Sequence, residues 1–136
     1  MKTYNTKHIQ YIKAFETLTN AEVKDCFEYH KRIAFIVKNG DLYKAIGKNA
    51  KNIKRVQKKL NKKIKVVEYS DNTKTFIENV LKPLNVEAVE QDGETYTIIP
   101  EDERTKSIII GRGGSHIELI RNIIKRHHEY NKLRVQ

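Results

Sequence analysis

The sequence predicts an α+β protein made of two copies of one unit, each a three-stranded sheet packed against helices. Three observations carry this. Helical and alternating hydrophobic patterns follow one another in the same order twice along the chain. A shift of 64 residues lays Ile46-Gly47 on Ile110-Gly111, Lys48 on Arg112, Ile53 on Ile117, Val56 on Ile120 and Leu60 on Ile124. Between the copies, Ser70-Asp71-Asn72-Thr73 offers capping chemistry and no apolar periodicity. The expected domains are therefore 1–70 and 71–136.

The first copy opens with a helix over 6–18. Ile9, Ile12 and Phe15 recur on it at three-residue spacing, flanked by Tyr11 and Leu18, and Thr3, Asn5 or Thr6 is available as its cap. The segments EVKDCFEY and RIAFIVK are rich in β-branched and aromatic residues and read as strands around YHKR. Cys26 falls in the first of them as a small hydrophobe. After the turn at Asn39-Gly40-Asp41, LYKAI is a short helix that stops at Gly47. A second helix runs from Ala50 to Leu60, with Ile53, Val56 and Leu60 on one stripe and Lys51, Lys54, Arg55, Lys58 and Lys59 on the rest. KIKVVEY closes the copy as a strand.

The second copy repeats this order. TKTFIENVLK puts Phe76, Ile77, Val80 and Leu81 at helical spacing and stops at Pro83. NVEAVEQ and ETYTIIP are strands around an Asp92-Gly93 hairpin turn. RTKSIII is a helix ending at Gly111, SHIELIRNIIKRHH a helix with Ile117, Ile120 and Ile124 inward, and KLRVQ a last short strand.

Composition narrows the function classes. The 136 residues are 38% apolar and 32% charged, enough for economical cores but not for a deep cleft between large lobes. The net charge of +10 favours a polyanionic partner. It is unevenly spread: residues 1–70 carry 17 Lys and Arg against 6 Asp and Glu, whereas 71–136 carry 10 against 11. From Lys44 to Lys65 there are ten basic residues and no acidic one. No segment has the apolar length to span a bilayer or the pattern of a signal peptide, and the single cysteine forms no intrachain disulfide. A cytoplasmic protein without a membrane association is the expectation.

The chemistry is expected in the loops GKNA at 47–50 and GRGG at 111–114. A helix that begins after such a loop offers unpaired N–H groups and the positive end of its dipole. Glycine lets a phosphate approach the backbone, and Lys48 or Arg112 adds a charge. Ser115 and Glu118 fit the S-x-x-E capping box, which would use up some of those N–H groups. His116 follows the second loop closely enough to reach a phosphate or base, while Ile46, Ile53, Ile110 and Ile117 read as ordinary core residues. GRGG does not extend to a dinucleotide fingerprint, and no P-loop pattern occurs. His8, His30, His116, His127 and His128 lack zinc-site spacing, so neither metal nor cofactor is expected. His127 and His128 read as surface residues at a helix end, and the acidic run 101–103 as solvated. No nucleophile–base pattern points to an enzyme.

Two Gly-x-x-Gly-like loops, each after a helix–strand–strand prelude, resemble those of the KH domain, whose GXXG loop clamps four backbone nucleotides. The segments AIGKNAKNIKRVQKKLNKKIKVVEYS and IIIGRGGSHIELI carry the likeness, and the prelude is similar to the type II arrangement. As a tandem pair covering essentially the whole chain, they resemble the archaeal NusA-like (Nus factor A) transcription factors. Bacterial members of that family add an N-terminal polymerase-binding domain and an OB-type domain, neither of which is found in these residues. The resemblance implies single-stranded RNA as ligand and RNA polymerase or its elongation complex as partner. It implies a monomer acting in elongation, termination or antitermination. A KH protein of ribosome assembly or RNA processing is the alternative, and a protein–protein adaptor with incidental charge is a third class. The implied RNA-binding residues are Gly47, Lys48, Asn49, Ala50, Lys51, Lys54, Arg55 and Lys58 in the first copy. In the second they are Gly111, Arg112, Gly113, Gly114, Ser115 and His116. Ala50 departs from the loop pattern, so electrostatic capture is expected of the first copy and closer backbone clamping of the second.

Overall fold

The structure, a computed structural model, describes residues 5–29 and 31–136. Thr3 and His30 lie outside them. The chain divides into two compact units, Met1–Tyr69 and Ser70–Gln136. Each holds a three-stranded sheet with helices and runs through the same element order.

In the first unit, helix α1 (Thr6–Thr19) starts where the Asn5 side chain accepts the His8 N–H at 2.9 Å. Its buried face is Tyr11, Phe15 and Thr19, joined by half-buried Ile12 and Leu18, whereas Ile9 is 57% exposed. The expected Ile9–Ile12–Phe15 stripe is thus rotated: a strict three-residue spacing drifts around a 3.6-residue helix, and the i, i+4 pair Tyr11–Phe15 wins the core. Strands β1 (Val23–Tyr29) and β2 (Arg32–Val37) pair antiparallel, and β3 (Lys63–Glu68) joins β2 in parallel, which makes β2 central. Its residues 33–37 are fully buried, as a central strand of continuous apolar residues should be. The Phe35 ring stacks on Phe15 at 4.2 Å, and Cys26 is buried in β1 beside them. Helices α2 (Leu42–Ile46) and α3 (Lys51–Leu60) complete the unit, with Ala45 and Val56 buried.

The second unit repeats this with α4 (Thr73–Leu81), β4 (Val86–Asp92), β5 (Thr95–Pro100), α5 (Glu103–Ile110), α6 (Ser115–Lys125) and β6 (Lys132–Val135). Here β5 is central, antiparallel to β4 and parallel to β6. Even the irregularity recurs: the register slips after Val23 in β1 and after Val86 in β4. Asn72 caps α4 by accepting the Thr75 N–H, and Phe76, Ile77, Val80 and Leu81 are buried. The helix stops at Leu81 because the residue before Pro83 is pushed to extended angles. The hairpin turns at Gly93-Glu94, one residue later than expected, because Asp92 still pairs with Thr95.

The run 101–103 is exposed, as expected, and within it the Asp102 carboxylate accepts the Thr105 N–H at 2.7 Å and caps α5. One further expectation needs correction. His128 is not a loose surface residue. Helix α6 ends at Lys125, and the His128 ring lies 2.8 Å from both Thr73 Oγ1 and the Ser70 carbonyl, against the Phe76 ring. Since a carbonyl only accepts, Nε2 carries the proton in that bond. Among the described residues, no helix is long and apolar enough to cross a membrane.

Candidate nucleic-acid interface

Each unit turns its chain sharply between its last two helices, and both corners use the same geometry. Helix α2 ends where the Gly47 N–H donates to the Tyr43 carbonyl at 2.7 Å, and α5 where the Gly111 N–H donates to the Ser107 carbonyl at 2.9 Å. The two glycines take nearly identical angles, φ 75 and ψ 167 against φ 73 and ψ 174, a region that essentially only glycine occupies. Neither has room for a side chain. A Cβ on Gly47 would lie 2.8 Å from Asn52 Cγ and 3.0 Å from the Asn52 nitrogen; one on Gly111 would lie 2.7 Å from His116 Cβ.

The crowding residues also tie the corners. Asn52 Nδ2 donates to the Lys44 carbonyl at 2.7 Å, and His116 Nδ1 lies 2.9 Å from the Ile108 carbonyl. The 64-residue shift pairs these residues one for one. His116, expected near a ligand, therefore first holds the corner, with its Nδ1 proton on the carbonyl and Nε2 left out of that bond. Asn52 was missed by sequence reasoning, although the same shift sets it on His116.

Between corner and helix, both loops place two residues in the left-handed region: Asn49 (φ 55) and Ala50 (φ 59), Gly113 (φ 62) and Gly114 (φ 78). Two expectations fall here. Ala50 is not in the first turn of a helix, because α3 starts at Lys51 and Ala50 precedes it at an angle an L residue adopts at a cost. The Ser115–Glu118 capping box does not form. Ser115 is already helical (φ −63, ψ −37), and Glu118 pairs instead with Arg121, whose Nε donates to the Leu133 carbonyl. Neither α3 nor α6 has a side-chain cap, so the first-turn N–H groups of both are left uncovered by side chains.

The charges gather mainly in the first unit. Lys48, Asn49, Lys51, Lys54, Arg55 and Lys58 line one concavity along the loop and α3, all but Asn49 basic, while Gly47 and Ala50 of the same loop are half-buried. Lys65 ends the basic run differently: it is half-buried on β3, where burial pushes its ammonium pKa down and Arg32 adds repulsion. In the second unit Arg112, Gly113 and Ser115 are exposed, Gly114 and His116 half-buried, and nothing lies within 4 Å of a Cβ built on Gly113. The isoleucines before and after the loops divide. Ile46, Ile53 and Ile110 are half-buried and remain partly accessible, whereas Ile117 is core.

A family model for the KH domain matches residues 9–90. The chain belongs to the KH-domain family. Proteins similar to it along most of this chain include two described as "Probable transcription termination protein NusA". The one from Methanocaldococcus jannaschii is 33% identical over 133 residues, which is 96% of this chain and 73% of the relative. The one from Methanococcus vannielii is 36% identical over 117 residues, 84% of this chain and 68% of the relative. In fold, the chain matches the crystal structure of APE1850 with a TM-score of 0.74 and 25% identity, over 98% of this chain and 100% of that one. Against the KH loop pattern Gly-x-x-Gly, residues 111–114 match and residues 47–50 depart at Ala50.

Proposed function

We propose that the chain is an RNA-binding transcription factor of two tandem type II KH domains, residues 1–70 and 71–136, that holds single-stranded RNA for elongation, termination or antitermination. The observation that carries the reading is the doubled corner: a glycine-only turn, a tied second helix and an uncapped helix start, twice in one chain. The NusA relatives support the transcriptional context. No catalytic step is part of the proposal. The partner is RNA polymerase or its elongation complex, and the protein works as a monomer in the cytoplasm.

The two domains divide the work. In the first, Lys48, Lys51, Lys54, Arg55 and Lys58 capture phosphates through charge, because Ala50 puts a methyl where the second loop has none. In the second, Gly111, Arg112, Gly113 and Gly114 let the backbone of the strand close on the loop and on the first turn of α6, with Ser115 beside it. Each domain takes about four nucleotides.

Charge capture has a direct signature. Every phosphate contact on a single strand contributes roughly 0.7 to the slope of log affinity against log salt. Reversing Lys51, Arg55 and Lys58 to Glu is expected to flatten that slope by about 2 in fluorescence anisotropy. An unchanged slope would make the run a solvated helix face. Polymerase subunits crosslinked to the protein in its own cells would support the transcriptional role, whereas ribosomal precursors alone would favour the assembly or processing alternative.

A further inference from the structure

The most exposed large apolar side chain among the described residues is Tyr43, at 74%. It stands on α2, whose Leu42, Ala45 and Ile46 face inward at i, i+3, i+4 spacing and leave Tyr43 and Lys44 outward. Its carbonyl accepts the Gly47 N–H, so the ring rises one helical turn before the loop that opens the basic concavity. Lys44, whose ammonium lies 3.9 Å from the Asp41 carboxylate, follows it in the chain, and Lys48 lies in the loop; both are exposed cations. The other described tyrosines are buried or half-buried. This ring contributes no comparable burial to the fold, and water around a flat apolar face carries a cost that a ligand can relieve.

We propose that Tyr43 is a stacking platform for an unpaired base of the bound single strand. The proposal rests on the RNA-binding reading above and adds a residue outside the loop and outside the charged face. An aromatic ring flanked by cations suits a strand whose phosphates are held by the lysines while one base turns onto the ring. Such stacking tolerates any base, since every base has a π-face. A tyrosine also loses little rotamer freedom on contact, with only two side-chain torsions to fix. The two units then differ in kind. The 64-residue shift sets exposed Ser107 at the Tyr43 position, so the second unit has the intact glycine loop without a ring, and the first has the ring with a weakened loop. The stack compensates in the first unit for the approach that the Ala50 methyl restricts.

The test uses the full chain and single-stranded RNAs of roughly 12 nucleotides, longer than the four each loop clamps, with one 2-aminopurine moved along the strand. Wild-type protein is expected to quench the probe at a limited set of positions. Tyr43→Ala should abolish that quenching and weaken binding by roughly 5- to 150-fold, while Tyr43→Phe keeps both. The salt slope should stay at its wild-type value in both variants, because a stack releases no counterions. The exposed position leaves the unfolding midpoint unchanged, which a melt checks. If Tyr43→Ala binds and quenches like wild type while the Lys51, Arg55 and Lys58 reversal still loses affinity, the stack is overturned and the RNA reading stands. If Tyr43→Phe falls with Tyr43→Ala, the hydroxyl makes the contact and stacking is likewise overturned. If wild-type protein binds no RNA, the functional reading fails and takes the stack with it.

Discussion

Gly47 and Ala50 bracket four residues, and both carry positive φ, yet only one of them is glycine. The difference is legible in the surroundings. At Gly47 both the backbone angles and the Asn52 nitrogen forbid a side chain; Ala50 occupies the left-handed region, which strains an L residue without excluding it. Ala50→Gly is therefore expected to stabilise the chain by about 1 kcal/mol, and Gly47→Ala to destabilise it by about 1 to 3 kcal/mol. Chemical denaturation checks both; a loss of stability in Ala50→Gly would contradict the left-handed conformation. The sequence alone placed the glycines at the loops but could not assign these angles. In the sequence Ala50 reads as the first residue of a helix, since alanine costs little in a helix first turn, and nothing local reveals its φ of 59.

At the scale of elements, the helices and strands follow the hydrophobic pattern closely, and the errors collect at their ends. Ser115 and Glu118 have capping-box spacing, but Gly114 can take a left-handed angle at no side-chain cost and so becomes the cap itself. That shift leaves the α6 start without a side-chain cap, although the Ser115 N–H donates to the Arg112 carbonyl, and the absence of a side-chain cap supports the binding reading. Conversely, Asp102 looked like one charge in an acidic run, yet it caps α5, and the Thr105 N–H holds its carboxyl below the ordinary value of 3.8. A depressed carboxyl contributes stability above its unfolded pKa and loses it as pH falls through the folded value. The Asp102 carboxyl is expected to titrate below 3.8 by NMR, with the α5 amide signals shifting over the same range; a midpoint at or above 3.8 would contradict the cap. His128 lay beyond sequence reasoning for another reason, since its partners Thr73 and Ser70 are 55 and 58 residues away.

Over the whole molecule, the charge contrast and the repeat were both visible in the sequence, because each is a sum over many residues and survives local misreadings. Residues 1–70 carry a net charge of +11 and residues 71–136 one of −1, and the intact glycine loop lies in the second stretch. Hence the two units share an architecture and differ in chemistry: one supplies charge and an exposed ring, the other an unobstructed backbone. What summed patterns did not reveal were pair contacts such as Asn52 with Lys44, which tie the corner across the loop.

The central claim is that the second loop clamps an RNA backbone, and Arg112→Asp with Gly113→Asp tests it most directly. Gly113 has open space for a side chain, and aspartate tolerates its left-handed angle, so the fold should persist by circular dichroism. The account predicts that the double variant binds a single-stranded RNA at least tenfold more weakly by fluorescence anisotropy, since two carboxylates would face the phosphates where an arginine and bare backbone stood. A folded variant with wild-type affinity would contradict it.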